Sequence, residues 1–175
     1  MRVLTTAATV AALVFGAGAA LAGTAEVNFL EPDGYSDAGG RGGMRDLPTR
    51  EAVLREIRAH LLDLAQRNLA PNQSLKIDVI DIDIAGRREV LGAGVQDVRV
   101  YDDISPPRIT LRFALSEDGR VVASGEERLS DPSYLNTLAR VPQGDPLRYE
   151  RPMLTKWFVA QFVRGKTRLV PSGGY

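Results

Sequence analysis

Leu75-Lys76-Ile77-Asp78-Val79-Ile80-Asp81-Ile82-Asp83-Ile84-Ala85 is the stretch on which the fold turns. Alternating apolar and polar residues mark a strand with one buried face. Here the alternation changes phase: Leu75, Ile77 and Val79 are odd-numbered, and Ile80, Ile82 and Ile84 are even-numbered. A regular strand would turn one set into water. A β-bulge or sharp coil at Val79–Ile80 restores a single apolar face. A strand end covered on both faces is the alternative.

Downstream, Gly86 to Gly94 reads as a connection and Val95 to Asp103 as a weaker strand. Pro106 and Pro107 cannot donate ladder hydrogen bonds and mark a boundary. Arg108 to Leu115 alternates, with Ile109, Leu111, Phe113 and Leu115 inward. Asp118-Gly119 is a tight-turn signal, and Arg120 to Leu129 returns as the partner strand. Centring this hairpin on the turn sets Thr110 opposite Glu127, with Arg108 and Arg112 as diagonal neighbours.

Upstream, Thr49 to Asn68 carries Val53, Leu54, Ile57, Leu61, Leu64 and Ala65 at helical spacing. Pro48-Thr49 starts this helix and Pro71 follows its end. Ala25 to Leu30 reads as a short strand, and Glu31 to Asp46, with five glycines, as loop. Pro152 opens a second helix to about Phe162, whose Leu154, Trp157, Phe158 and Phe162 form an apolar stripe. That stripe suits core more than a ligand groove. Residues 164–175 show little pattern and are expected to be loose. The order predicts an α+β fold: a mostly antiparallel sheet of about four to five strands with two helices packed on one face.

The N-terminus predicts export. Arg2 is followed by an uncharged run from Val3 to Leu21, and Ala20-Leu21-Ala22 supplies the small residues read at a signal-peptide cleavage site. Cleavage is expected after Ala22, leaving a single domain over 23–175 with no transmembrane anchor. No cysteine sits at the cleavage point, which argues against a lipid anchor. The 175 residues hold 22 basic and 22 acidic side chains, so charge gives no general reason to bind nucleic acid. The absence of cysteine excludes disulfides, thiol catalysis and thiolate metal sites.

Little in the chain resembles catalytic machinery, and no cofactor is expected. His60 is the only histidine and sits at the edge of a helical apolar stripe, where packing or simple exposure is the ordinary role. Asp81 and Asp83 share a strand face and are the best candidates for a hard cation, but the calcium-loop spacing is absent and a plain solvated strand face is the favoured reading. Glu126 and Glu127 are adjacent on a strand and point to opposite faces, so a cross-strand ion pair with Arg108 or Arg112 is the expectation. The two segments Ser130 to Leu135 and Gly144 to Glu150 combine Tyr, Arg, Asp and Pro. Asp131, Tyr134, Asp145, Arg148 and Tyr149 are the candidate contact residues, since Tyr and Arg favour interfaces. A loop tied down by its own hydrogen bonds, with Asp131 or Asp145 as caps, is the competing explanation.

Several stretches together resemble DUF3016, a family of exported bacterial domains of unknown function. They are Val27-Asn28-Phe29-Leu30-Glu31-Pro32 with Tyr35-Ser36-Asp37-Ala38-Gly39, and Leu75-Lys76-Ile77 running to Asp81-Ile82-Asp83-Ile84-Ala85-Gly86. Pro107-Arg108-Ile109 to Leu115, Gly125-Glu126-Glu127-Arg128-Leu129-Ser130-Asp131, and Asp145-Pro146-Leu147-Arg148-Tyr149-Glu150 leading to Trp157-Phe158 complete the set. The segment Gly39 to Gly43 is more glycine-rich than the family pattern. The resemblance implies export in Gram-negative bacteria and one domain, and it brings no activity or catalytic residues.

The sequence thus favours a periplasmic, non-catalytic binding module for an unknown protein or small ligand of the cell envelope. Its contact surface would lie within Ser130 to Glu150, joined by the loop from Asp33 to Asp37. A carboxylate- or divalent-metal-dependent enzyme centred on Asp81 and Asp83 is the alternative, and a structural envelope component is a third.

Overall fold

The computed structural model describes residues 23–39, 48–91, 96–136 and 145–165. Strand β1 (Thr24–Phe29) leads to helix α1 (Arg50–Asn68) and strand β2 (Gln73–Asp83). Strands β3 (Arg87–Leu91) and β4 (Gln96–Val100) follow, then the hairpin β5 (Arg108–Glu117) and β6 (Arg120–Ser130), and helix α2 (Glu150–Phe158). The main sheet has the order β1-β2-β5-β6, and β3-β4 form a separate ribbon. β1 and β2 are parallel because α1 carries the chain back over the sheet; the other pairs are antiparallel. The α+β expectation of a mostly antiparallel sheet with two helices stands.

The phase change in β2 is a bulge. Val79 pairs with Leu111 and Asp81 with Thr110, so Ile80 is the extra residue. Leu75, Ile77, Val79, Ile82 and Ile84 are all buried in one core with Ile57, Leu61 and Leu64 of α1 and Leu154 and Phe158 of α2. Thr49 caps α1, its hydroxyl accepting the Ala52 N–H at 3.2 Å.

Three expectations are corrected. Gly86 to Gly94 is not a plain connection, because Arg87–Leu91 pairs with Gln96–Val100. Gly86 has φ +77°, and a Cβ there would meet Val100 O at 2.5 Å, so the ribbon closes against a bare backbone. The hairpin turns at Asp118 and Gly119, both with positive φ, yet its register differs by one from the symmetric expectation. Ser116 pairs with Val121 but Leu115 with Ala123, leaving Val122 as a second bulge residue. Thr110 therefore faces Arg128, and Arg112 pairs with Glu126 at 2.9 Å. Both side chains of that pair are more than half exposed, which limits it to about 0.2–1 kcal/mol. Finally, α2 begins at Glu150 rather than Pro152, with Pro152 in the first turn, where its missing N–H is tolerated. A π-helical turn, Val159–Val163, continues α2 and carries Phe162.

The aromatic stripe of α2 is core. Phe113, Trp157 and Phe162 meet edge to face, with centroids 5.4–6.0 Å apart. The opposite sheet face is uncovered by either helix and carries Asn28, Asp78, Arg112 and Glu126 in one row across four strands.

Deleting Ile80 removes the bulge and joins the two apolar phases into one regular alternation, so Val79 still pairs with Leu111, Asp81 with Thr110, and Asp81 and Asp83 keep to the polar side. Denaturant unfolding of that variant should show a loss of only about 1 kcal/mol, whereas exchanging Asp81 with Ile82, which turns a carboxylate toward the core, should cost above about 3 kcal/mol. Equal losses would show that Ile80 is not the residue that absorbs the phase change.

Candidate functional site

Of the five residues expected to make contacts, Tyr134, Arg148 and Tyr149 come together, but not as an exposed surface, while Asp131 and Asp145 serve their own loops. Tyr134 is 0% exposed and its hydroxyl donates to Asp102 O at 2.6 Å. Tyr149, also buried, packs on Tyr134 with centroids 4.7 Å apart and on Tyr101 at 5.1 Å. Arg148 lies over the Tyr149 ring, its guanidinium carbon 5.2 Å from the centroid. Asp131 accepts the Ser133 N–H at 3.1 Å, and Asp145 accepts the Leu147 N–H at 2.9 Å. Asp145 also pairs with Arg151 at 2.8 Å. The tyrosines are thus corrected from surface anchors to internal props: a small second core, with Ala85, needs their ring area and has an acceptor for Tyr134.

Beside this core lies a buried polar hub that sequence reasoning missed. The Arg99 side chain is 5% exposed. It donates to Ala85 O at 3.1 Å and Gly86 O at 3.0 Å, and pairs with Asp37 at 2.8 Å. Asp37 is itself stitched to β2: its N–H donates to Ile82 O, and its carbonyl accepts the Ile84 N–H. The loop from Asp33 to Asp37 is therefore pinned, with Asp33 also bonded to Arg50. Glu150 is 1% exposed and accepts the Ala85 N–H at 2.7 Å. Burial raises its carboxyl above the ordinary 4.5; backbone N–H donors and the Arg99 charge pull the other way. Nothing in the sequence separates Arg99, flanked by Val98 and Val100, from any alternating strand cation.

The acidic strand is occupied internally. Asp78 accepts from Asn28 at 3.0 Å and faces Lys76 at 3.5 Å. Asp81 accepts both the N–H and the hydroxyl of Ser36, at 2.7 and 2.9 Å. Asp83 pairs with Arg108 at 3.1 Å. Among the described residues no group of three His, Asp or Glu side chains could hold a metal ion. His60 bridges the helices, Nε2 lying 2.9 Å from the Thr155 hydroxyl and 3.1 Å from Arg151 O. Burial, then the Arg151 charge, lowers its pKa.

One region combines shape with unused chemistry. β6 pairs with β5 on one side only, and among the described residues its outer edge has no strand partner. Against that edge runs a groove of about 280 Å³. Its walls are residues 128–131 and the α2 stripe Met153, Lys156, Trp157 and Ala160, spaced i, i+3, i+4, i+7. Trp157 is 9% exposed and its Nε1 has no hydrogen-bond partner among the described residues. It serves both the core and the groove. Of the five expected contact residues only Asp131 lines this groove, and Trp157 joins it from the stripe that reads as core.

Glu150 can be tested through pH. A carboxyl that binds its proton more tightly when folded contributes most below its unfolded value. That contribution is lost as pH rises through the folded value. Glu150→Gln keeps an acceptor for the Ala85 N–H and removes the titration. Its melting temperature relative to the parent should climb between pH 4.5 and pH 8; a pH-independent offset would contradict the buried carboxyl.

No curated protein matches the chain. Among solved structures it is similar to the crystal structure of protein XCC0632 from Xanthomonas campestris, assigned to DUF330. That likeness has 16% identity over 82% of this chain and 84% of the other, with a TM-score of 0.37. It is too distant to bear on the site. No helix among the described residues is long and apolar enough to cross a membrane. The family model described as "Protein of unknown function (DUF3016)" matches residues 23–160, which is most of the chain, and the chain belongs to that family.

Proposed function

We propose that the protein is an exported, periplasmic, non-catalytic binding module whose partner sits in the groove between β6 and α2. The open strand edge beside a lined groove carries this reading. A further exposed surface, the uncovered sheet face, has charges spent on one another through Asn28–Asp78, Lys76–Asp78 and Arg112–Glu126. Such a face is well solvated as it stands. The side chains of Arg128 and Lys156 at the groove have no ion pair or hydrogen bond among the described residues. Ligand sites join apolar walls to a few unsatisfied polar groups, and this groove has both. The contact surface thus moves from Tyr134, Arg148 and Tyr149 to the neighbouring strand edge, with Asp131 shared.

Export is supported by Arg2, the uncharged run Val3 to Leu21 and the Ala20-Leu21-Ala22 ending. The family match beginning at residue 23 agrees with cleavage after Ala22. A non-catalytic role is supported by the internal commitments of His60, Asp78, Asp81 and Asp83.

Lysine acetylation tests the surface. Lys156 should label several-fold less in the intact cell envelope than in the purified protein, while Lys76 on the open sheet face labels alike in both. Equal labelling of Lys156 would overturn the groove, and protection of Lys76 instead would move the contact to the sheet face. N-terminal sequencing of the exported protein should begin at Gly23; retention of Met1 would refute cleavage.

A further inference from the structure

We infer that the groove receives an extended, acidic polypeptide segment of another protein, which adds to β6 as a fifth strand of the main sheet. This rests on the groove being the contact surface and goes on to name the occupant.

The strand edge points to a polypeptide. β6 spans Arg120–Ser130, contains no proline, and shows one paired side among the described residues. An edge presents N–H and C=O groups in strand register, and another extended backbone matches them one for one. The bulge at Val122 disturbs only the end near the turn. From Ala123 to Ser130 the pairing with β5 runs without interruption, and the groove lies along the last part of that stretch. An added strand places alternate side chains on one face. There Met153, Trp157 and Ala160 offer them an apolar wall.

Charge supplies the sign. Lys156 lines the groove from α2 and Arg128 borders it from the outer face of β6, neither side chain in an ion pair among the described residues, whereas Arg108, Arg112 and Arg151 each hold a carboxylate. The acids nearby are Glu127, half-buried on the strand, and Asp131, which already accepts from Ser133. The chain's own residues 166–175 bring Lys166 and Arg168 and no acid, so they repeat the wrong sign. A symmetric second copy would bring the same uncompensated cations.

The exported protein is titrated with an end-blocked decapeptide of alternating Val and Glu, followed by calorimetry and amide NMR. Two controls replace Glu by Lys, or methylate alternate backbone nitrogens. The Val–Glu peptide should bind and shift the amides of 124–130, and both controls should bind about tenfold more weakly or worse. Arg128→Glu combined with Lys156→Glu, both on exposed side chains, should reverse the preference toward the Lys peptide. Undiminished binding of the methylated peptide would overturn strand addition, and an unreversed preference would overturn the charge assignment. Binding that appears only after residues 166–175 are removed would make the tail the occupant. A dimer that the peptide fails to dissociate would make it a second copy. Either result overturns the inference. If the peptide does not bind while Lys156 remains protected in the envelope, strand addition falls and the groove stands; if protection is also lost, both fall.

Discussion

One extra residue in β2 organises the molecule. The apolar side chains before and after Ile80 differ in parity, and a sheet with one buried face cannot accept both phases without a bulge. With Ile80 absorbed, Leu75 to Val79 and Ile82 to Ile84 enter the same core, and Asp78, Asp81 and Asp83 share the polar side. The second half of β2 then meets Asp37, which bonds to both Ile82 and Ile84. Ala85, just beyond, presents its N–H to Glu150 and its carbonyl to Arg99. The start of α2 is thereby fixed against the sheet end, and with it the α2 face that walls the groove.

The hub at that junction is costly by design of its chemistry. Burying a guanidinium and a carboxylate sacrifices hydration that their attraction repays only with good geometry and full hydrogen bonding. Arg99 has carbonyl and carboxylate partners at 2.8–3.1 Å, although its Nε is unsatisfied. In exchange the hub ties three separate segments to one place: the β1–α1 loop, the β3–β4 ribbon and the α2 N-terminus. The tyrosine cluster plays a parallel part, since Tyr134 reaches across to Asp102.

What the sequence disclosed follows from where its patterns are local. The period of α1, its Thr49 cap, the phase slip at Ile80 and the Asp118-Gly119 turn depend on neighbours in the chain and were legible. The resemblance to DUF3016 was legible too, and residues 23–160 belong to that family. The Val122 bulge was not, because two successive valines, both exposed, give no phase cue. β3 was not, because Arg87-Arg88-Glu89 looks like any polar link until β4 pairs with it. Tyr134 and Tyr149 looked like surface anchors because an amphipathic ring gives no sign of which side it faces. The groove was invisible, since its walls come from residues about 30 apart and its cations look like ordinary surface charge.

The proposed groove needs an edge of the sheet to be open. Amide hydrogen exchange of the protein, resolved by residue, tests this most directly. In β2 and β5 the amides of the paired ladder should all be protected to a similar high degree. In β6 protection should alternate along 123–130, with amides bonded to β5 slow and those facing outward fast. Uniform slow exchange along both sides of β6 would contradict the open edge and, with it, the groove as a place for a partner.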